Sequence, residues 1–228
     1  MRHGQASFGA DNYDVLSEQG FRQAELLGEQ WLGMEVGLDA IYSGELQRQV
    51  DTAATVLKML AEQERAPPEI IVDPAFNEYD FQPIMDLQLK DLVANGESFG
   101  WAELKRDKKL FHKFLEGTLA SWLSGKLAGP EIESWPDFQT RCVAGLKRVM
   151  QAHRGGKTVA IFSSAGSIGA GIQHVLGLGD AQTIRVKLSM YNTGITQLLY
   201  NDDEVNLMSL NTLAHLERPE HKQLITFR

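Results

Sequence analysis

A chain of 228 residues with 43% hydrophobic and 23% charged side chains can bury one substantial core, which argues against disorder and predicts a single domain over 1–228. The formal net charge of −8 argues against a general nucleic-acid binder, which normally carries a basic face. The single cysteine, Cys142, excludes an intramolecular disulfide, and no apolar run or leader-like segment indicates a membrane. A soluble cytoplasmic protein is expected.

The first third of the chain alternates helices with short strands. Residues 16–33 carry apolar side chains at helical spacing, with Ser17 as the N-cap. Residues 39–43 are typical of a short buried strand, and residues 46–63 of the helix that follows it. After a Pro-Pro pair, residues 69–74 have the pattern of a second strand.

The rest of the chain begins with helices and ends with strands. Residues 84–150 contain no convincing strand and are predicted to form a helical insertion or cap. Residues 157–164 form the clearest strand pattern, and the helix of residues 167–177 follows. Segments 192–200 and 204–211 flank a turn and predict a hairpin. This alternation predicts an α/β fold with a largely parallel sheet.

Reactive side chains follow several of the predicted strands. Arg48 lies in the first helical turn after one strand, Glu78 in the loop after another, and Ser164 directly after 157–163. Arg2 and His3 would occupy the same edge if a strand ended at Arg2. Because ligands of open α/β sheets bind beyond the carboxyl ends of the strands, these residues predict one site.

The chemistry of this residue set suits phosphate. Each arginine presents a fork that binds phosphate oxygens, and a helix N-terminus adds N–H donors. A histidine nitrogen is a competent nucleophile that divides phosphoryl transfer into two steps. A carboxyl group can protonate the leaving alkoxide. With two arginines to neutralise developing charge, neither a metal nor another cofactor is required.

An ordered series of motifs resembles the histidine phosphatase superfamily, also called phosphoglycerate mutase-like. Its Arg-His-Gly signature is matched at residues 2–4, and "LSEQGFRQAELLGEQW" is similar to Leu-Ser-x-x-Gly-x-x-Gln-Ala-x-x-Leu-Gly. "IYSGELQRQVDTA" resembles Tyr-Ser-x-x-Leu-x-Arg-x-x-x-Thr-Ala, and "FNEYD" resembles Leu-x-Glu. "NTGIT" and "NTLAHL" extend the match to Leu216.

The resemblance implies a three-layer α/β/α sandwich with the helices of 84–150 beside the substrate cleft. It implies that His3 is phosphorylated and then hydrolysed, and that Glu78 protonates the leaving group and then activates water. The same resemblance implies that five residues bind the phosphate: Arg2, Arg48, Gln5, Ser7 and Ser164.

Two departures from the family pattern stand out. The family normally has a second histidine in a Ser-His-Gly sequence after the strand that corresponds to 157–163, and alignment places Ser164 there. A hydroxyl donates one hydrogen bond but lacks the charge of an imidazolium, so lower catalytic efficiency is expected. In addition, only Met1 and Arg2 precede His3, so either the chain begins further upstream or the first strand is a stub.

The sequence therefore predicts a metal-independent phosphatase that hydrolyses small phosphorylated metabolites through a phosphohistidine at His3. A weakly active or inactive phosphate-binding module is the alternative from another class. A phosphoglycerate mutase is the lesser alternative, because the extended segments expected of mutases near His3 and Glu78 are absent. Substrate identity and the formation of a homodimer are open at this point.

Overall fold

The computed structural model describes residues 1–7, 14–61, 67–202 and 204–227. Its helices are α1 (Glu18–Gly33), α2 (Gln47–Leu60), α3 (Phe81–Ala94), α4 (Trp101–Arg106), α5 (Lys108–Leu123), α6 (Trp135–Ala152), α7 (Ala165–Leu176) and α8 (Asp180–Ser189). Its strands are β1 (Ala40–Ser43), β2 (Ile70–Val72), β3 (Val159–Phe162), β4 (Ile195–Tyr200) and β5 (Val205–Thr212). The predicted end of α2 at 62–63 lies outside the described residues, as does Asp203 in the predicted hairpin turn.

The strands form two groups. A parallel sheet has the order β2-β1-β3, while β4 and β5 form an antiparallel hairpin. Residues 1–3 run beside β3, where Arg2 and Ser163 form a parallel bridge. The Arg2 amide donates to the Gly194 carbonyl at 3.2 Å, next to the start of β4. The predicted α/β class with a mostly parallel sheet is confirmed, and the hairpin is present.

Helices cover both faces of the parallel sheet. Ala160 and Phe162 of β3 pack in one apolar cluster with residues of α1, α2 and β1. Ile161, which points to the opposite face, lines a cavity together with Cys142 of α6 and Ile172 of α7. This alternation along one strand places a helical layer on each side of the sheet.

The second layer continues into the helices α3–α6, which contain residues 84–150 and no strand. Its core is aromatic, with the ring centroids of Tyr79 and Trp122 4.3 Å apart and Phe138 packed against both. Cys142 is buried in this cluster, and burial raises the pKa of its thiol to about 12. In the described residues, no helix combines the length and apolar character needed to cross a membrane.

Candidate functional site

Five of the seven predicted site residues lie at or near the carboxyl ends of the parallel strands: Arg2, His3, Arg48, Glu78 and Ser164. The sheet itself aligns three of the segments, because residues 1–3, β1 and β3 run in the same direction. His3 and Arg48 are buried and in direct contact, and Ser164 follows β3. Glu78 is half-buried and reaches the first turn of α7.

His3 is held as a neutral imidazole, with each ring nitrogen in a hydrogen bond. Its Nδ1 lies 2.7 Å from the Gly4 carbonyl oxygen, which can only accept, so Nδ1 carries the hydrogen. Arg48 donates from Nε to His3 Nε2 at 3.2 Å, so Nε2 holds the lone pair. Burial lowers the pKa of His3 well below its ordinary 6.5, and the charges of Arg2 and Arg48 lower it further. The ring is therefore neutral at neutral pH, and its Nε2 can act as a nucleophile once the Arg48 hydrogen bond is released.

The two arginines are each held by a different kind of partner. The guanidinium of Arg48 forms an ion pair with Asp14 at 2.5 Å. Arg2 donates from Nη1 to the carbonyl oxygens of Met190, at 2.5 Å, and Phe227, at 3.1 Å. Since both guanidiniums are buried, these contacts fix their orientation around His3.

Glu78 is anchored to the N-terminus of α7. Its Oε2 accepts from the Gly166 amide at 2.9 Å. A Cβ atom at Gly166 would lie 1.9 Å from Glu78 Oε1, so only glycine leaves room for the carboxylate there. The loop carboxylate predicted from sequence is therefore held by backbone on a rigid helix.

Ser164 occupies the N-cap position of α7 without capping it. Its side chain accepts no hydrogen bond from the helix and instead accepts from Gln49 Nε2 at 2.8 Å. Serine at an N-cap usually accepts from the second or third helical amide. Here the amide of Gly166 is taken by Glu78, which leaves the Ser164 hydroxyl directed toward α2.

Gln5 and Ser7 lie beyond His3 in the loop toward α1. Gln5 Oε1 accepts from the Ser17 hydroxyl at 2.9 Å, and the backbone N–H of Gln5 donates to Gln23 Oε1 at 2.8 Å. The Ser7 amide pairs with the Val15 carbonyl. These bonds tie the loop to the N-terminus of α1, and phosphate contacts by Gln5 and Ser7 remain predictions.

The structure adds residues that sequence patterns did not indicate. Asp14 pairs with Arg48, and Gln49 contacts Ser164. Lys187 of α8 is half-buried, with its ammonium 5.2 Å from the ring centroid of Tyr79. Burial lowers the pKa of Lys187, while the nearby Glu78 charge raises it. For Gln49, one signal was available: it directly follows Arg48, the arginine predicted to bind phosphate, on α2.

A buried polar network supports the backbone of His3. The carbonyl oxygen of His3 accepts from the Thr193 amide and from Asn192 Nδ2, each at 3.2 Å. The Thr193 hydroxyl donates to the Asn192 carbonyl, so it accepts from Nε2 of the buried His215 at 2.8 Å. Burial lowers the pKa of His215 from 6.5 to about 4, so this imidazole is neutral in the folded protein at neutral pH.

The low pKa of His215 predicts that the free energy of unfolding decreases in acid. Its pKa is about 4 when folded and 6.5 in an unfolded chain, so the unfolded state binds more protons between these values. The stabilisation is complete above about pH 6.5 and is lost as the pH falls to about 4, a difference on the order of 3 kcal/mol. Urea unfolding from pH 4 to 7 should therefore show a steeper loss for the wild type than for His215→Gln. Parallel curves for the two proteins would contradict this assignment.

Comparison with protein-family models identifies the family of this chain. The family model described as histidine phosphatase superfamily, branch 1, matches residues 1–213. A bifunctional protein of Mycobacterium tuberculosis is 25% identical over 222 residues, which cover 95% of this chain and 54% of that protein. The chain thus spans about half the length of the curated relatives it matches.

Solved structures share the fold. A phosphoserine phosphatase from Entamoeba histolytica, in complex with 3-phosphoglyceric acid, superposes with a TM-score of 0.64 at 21% identity. The match covers 94% of this chain and 96% of that one. A phosphoglycerate mutase from Bacillus anthracis superposes with a TM-score of 0.64 at 20% identity, over 94% and 92% of the two chains.

Proposed function

Because this chain belongs to the histidine phosphatase superfamily, we propose that it is a metal-independent phosphatase that hydrolyses small phosphorylated metabolites through a phosphohistidine on His3. One observation carries the proposal: His3 is a neutral imidazole whose Nε2 lone pair faces the cation of Arg48. A substrate phosphate that takes the Arg48 N–H in place of His3 releases the Nε2 lone pair and is held next to this nitrogen.

The first step transfers the phosphoryl group to the enzyme. His3 Nε2 attacks phosphorus as the bond to the ester oxygen breaks, and the protonated carboxyl group of Glu78 gives its proton to the leaving alkoxide. Arg2 and Arg48 bind the equatorial oxygens and stabilise the charge of the transition state. The alcohol then leaves.

The second step restores the enzyme. The Glu78 carboxylate takes a proton from a water molecule as that water attacks the phosphohistidine. The bond between phosphorus and Nε2 breaks, inorganic phosphate leaves, and the imidazole is again neutral. In this proposal the helices α3–α6 border the cleft that receives the alcohol part of the substrate.

A phosphate-binding module with little turnover is the second candidate. The ion pair between Arg48 and Asp14 favours it, because Asp14 already neutralises one phosphate-binding cation. A neutral hydroxyl at Ser164 favours it as well, because the resemblance places a histidine at this position. Both features weaken stabilisation of the transition state more than they weaken simple phosphate binding.

Three measurements on the wild-type protein separate the candidates. Hydrolysis of p-nitrophenyl phosphate and of a panel of phosphorylated metabolites is followed across pH, and rapid quenching with a labelled substrate detects phosphoenzyme. Calorimetric titration with inorganic phosphate measures binding. Turnover with an acid-labile phosphoenzyme supports the phosphatase, whereas binding without turnover supports the module. Absence of both would overturn the two candidates.

A further inference from the structure

Gln49 has a buried side-chain amide that lies between α2, where Arg48 precedes it, and the N-terminus of α7. It directly follows Arg48 in the first turn of α2, and its side chain is inaccessible to solvent. Its Nε2 donates to the Ser164 hydroxyl at 2.8 Å and to the Phe76 carbonyl at 3.1 Å. Both amide hydrogens are thus used, and they fix the plane of the side chain.

The bond from Gln49 determines the direction in which Ser164 can donate. A serine hydroxyl has one hydrogen to donate and lone pairs that accept. Because Gln49 occupies the accepting side, the hydrogen of Ser164 must point elsewhere, and it has no acceptor among the described residues. Ser164 sits beside the anchored Glu78 and follows the strand that bridges Arg2, so this hydrogen is available to an oxygen bound between them.

One atom of the Gln49 amide is unfavourable for the stability of the fold. Its Oε1 is buried and accepts no hydrogen bond from the described residues, which is unfavourable in a folded protein. Gly44 leaves the space for this oxygen, because a Cβ atom there would lie 2.0 Å from it. The Phe76 carbonyl also accepts from the Ser163 hydroxyl at 2.7 Å, so that carbonyl does not depend on Gln49.

We propose that Gln49 is a positioning residue that orients the Ser164 hydroxyl as a hydrogen-bond donor to the phosphoryl group. The proposal rests on the proposed function, because it places the phosphate between Ser164, Arg2 and Arg48. Gln49 acts only through Ser164. The hydrogen of the Ser164 hydroxyl is thus directed away from the Gln49 amide and toward the bound phosphate.

A double-mutant cycle tests whether Gln49 acts through Ser164. Ser164→Ala should lower kcat/KM for an aryl phosphate by about 100-fold, as expected when one transition-state donor is removed. Gln49→Met keeps the volume but leaves the hydroxyl free to rotate, and should lower kcat/KM by about 10-fold. The double variant should be no worse than Ser164→Ala, because the two side chains act as one unit.

Thermal unfolding distinguishes positioning from a structural role. Gln49→Met removes the unpartnered Oε1 but also leaves the buried Ser164 hydroxyl without its donor, and because these two effects oppose each other, the midpoint of thermal unfolding should stay near that of the wild type. The matched control is Gln88→Met on α3, where another buried amide oxygen has no partner among the described residues and no bond to the site. The control should share the thermal behaviour and retain wild-type activity.

Three outcomes overturn the proposal. One is unchanged activity in Gln49→Met, another is an additive effect of the two substitutions, and the third is a loss of activity that parallels a loss of thermal stability. Calorimetric titration with inorganic phosphate is run on the same variants. Weaker binding by Gln49→Met, absent in the Ser164→Ala background, supports the positioning role even in a protein without turnover. Failure of this proposal is therefore distinguishable from failure of the phosphatase assignment.

Discussion

Replacing His3 by alanine should lower turnover of every phosphomonoester by at least about 10⁴-fold, because the substitution removes the nucleophile itself. The acid-labile phosphate label seen in rapid-quench experiments should disappear with it. Arg2 and Arg48 remain in the variant, and inorganic phosphate should still bind in a calorimetric titration. Loss of turnover with binding retained separates the nucleophile from the residues that hold phosphate.

His112→Ala is the matched control for this experiment. His112 lies on α5 with half of its side chain exposed, and its Nδ1 lies 3.6 Å from Glu116 Oε1 at the protein surface, a contact that contributes little to stability. Activity of His112→Ala should equal that of the wild type. Comparable turnover in His3→Ala and the wild type, with circular dichroism showing a folded variant, would exclude a phosphohistidine at this position.

Gly166→Ala should lower the turnover of alkyl phosphates by about 10²- to 10⁴-fold, the range associated with a positioned general acid. A Cβ atom at Gly166 would lie 1.9 Å from Glu78 Oε1 and 2.8 Å from the buried Tyr79 ring, so the carboxylate must move. An alkoxide leaving group needs the proton of Glu78, whereas p-nitrophenolate leaves without one. The loss should therefore be much smaller for p-nitrophenyl phosphate.

Gly171→Ala on the same helix provides the comparison, because a Cβ atom there contacts nothing within 4 Å. It should leave activity unchanged and stabilise α7 by roughly 0.5–1 kcal/mol, the usual gain for alanine over glycine in a helix. If Gly166→Ala slowed aryl and alkyl phosphates equally, its effect would be on the fold of the site, and Glu78 would not be the acid.

The elements that frame the site were predictable because local rules define them. Ser17 caps α1 by accepting from the Gly20 amide, as its N-cap position predicted. Gly177 ends α7 in the left-handed conformation, with φ of +62°, as a C-terminal glycine predicts. Arg48 follows β1 in the first turn of α2, so the order of strand and helix was sufficient to place it at the carboxyl edge of the sheet.

The remaining features depend on contacts between distant segments. The His3 ring is held in part by Arg48, which lies 45 residues away and donates to its Nε2. Lys187 reaches the site from α8, a helix whose ten residues have too little apolar periodicity to be predicted. The role of Ser164 depends on Gln49, which is 115 residues away in the chain. Propensity rules describe neighbours in sequence and do not predict such pairs.

The bond from Arg2 to the Phe227 carbonyl connects positions 225 residues apart, and the bond to Met190 spans 188. Contacts of this range carry a larger loop-closure entropy than local ones, and neither can form before the chain has been made to residue 190 and to residue 227. A nascent chain that has reached residue 180 already contains His3, Arg48, Glu78 and Ser164. It still lacks the carbonyls that orient Arg2 and the Asn192 and Thr193 donors that hold the His3 backbone. The proposed phosphate site is therefore complete only when the segment from Met190 to Phe227 has packed against residues 2 and 3.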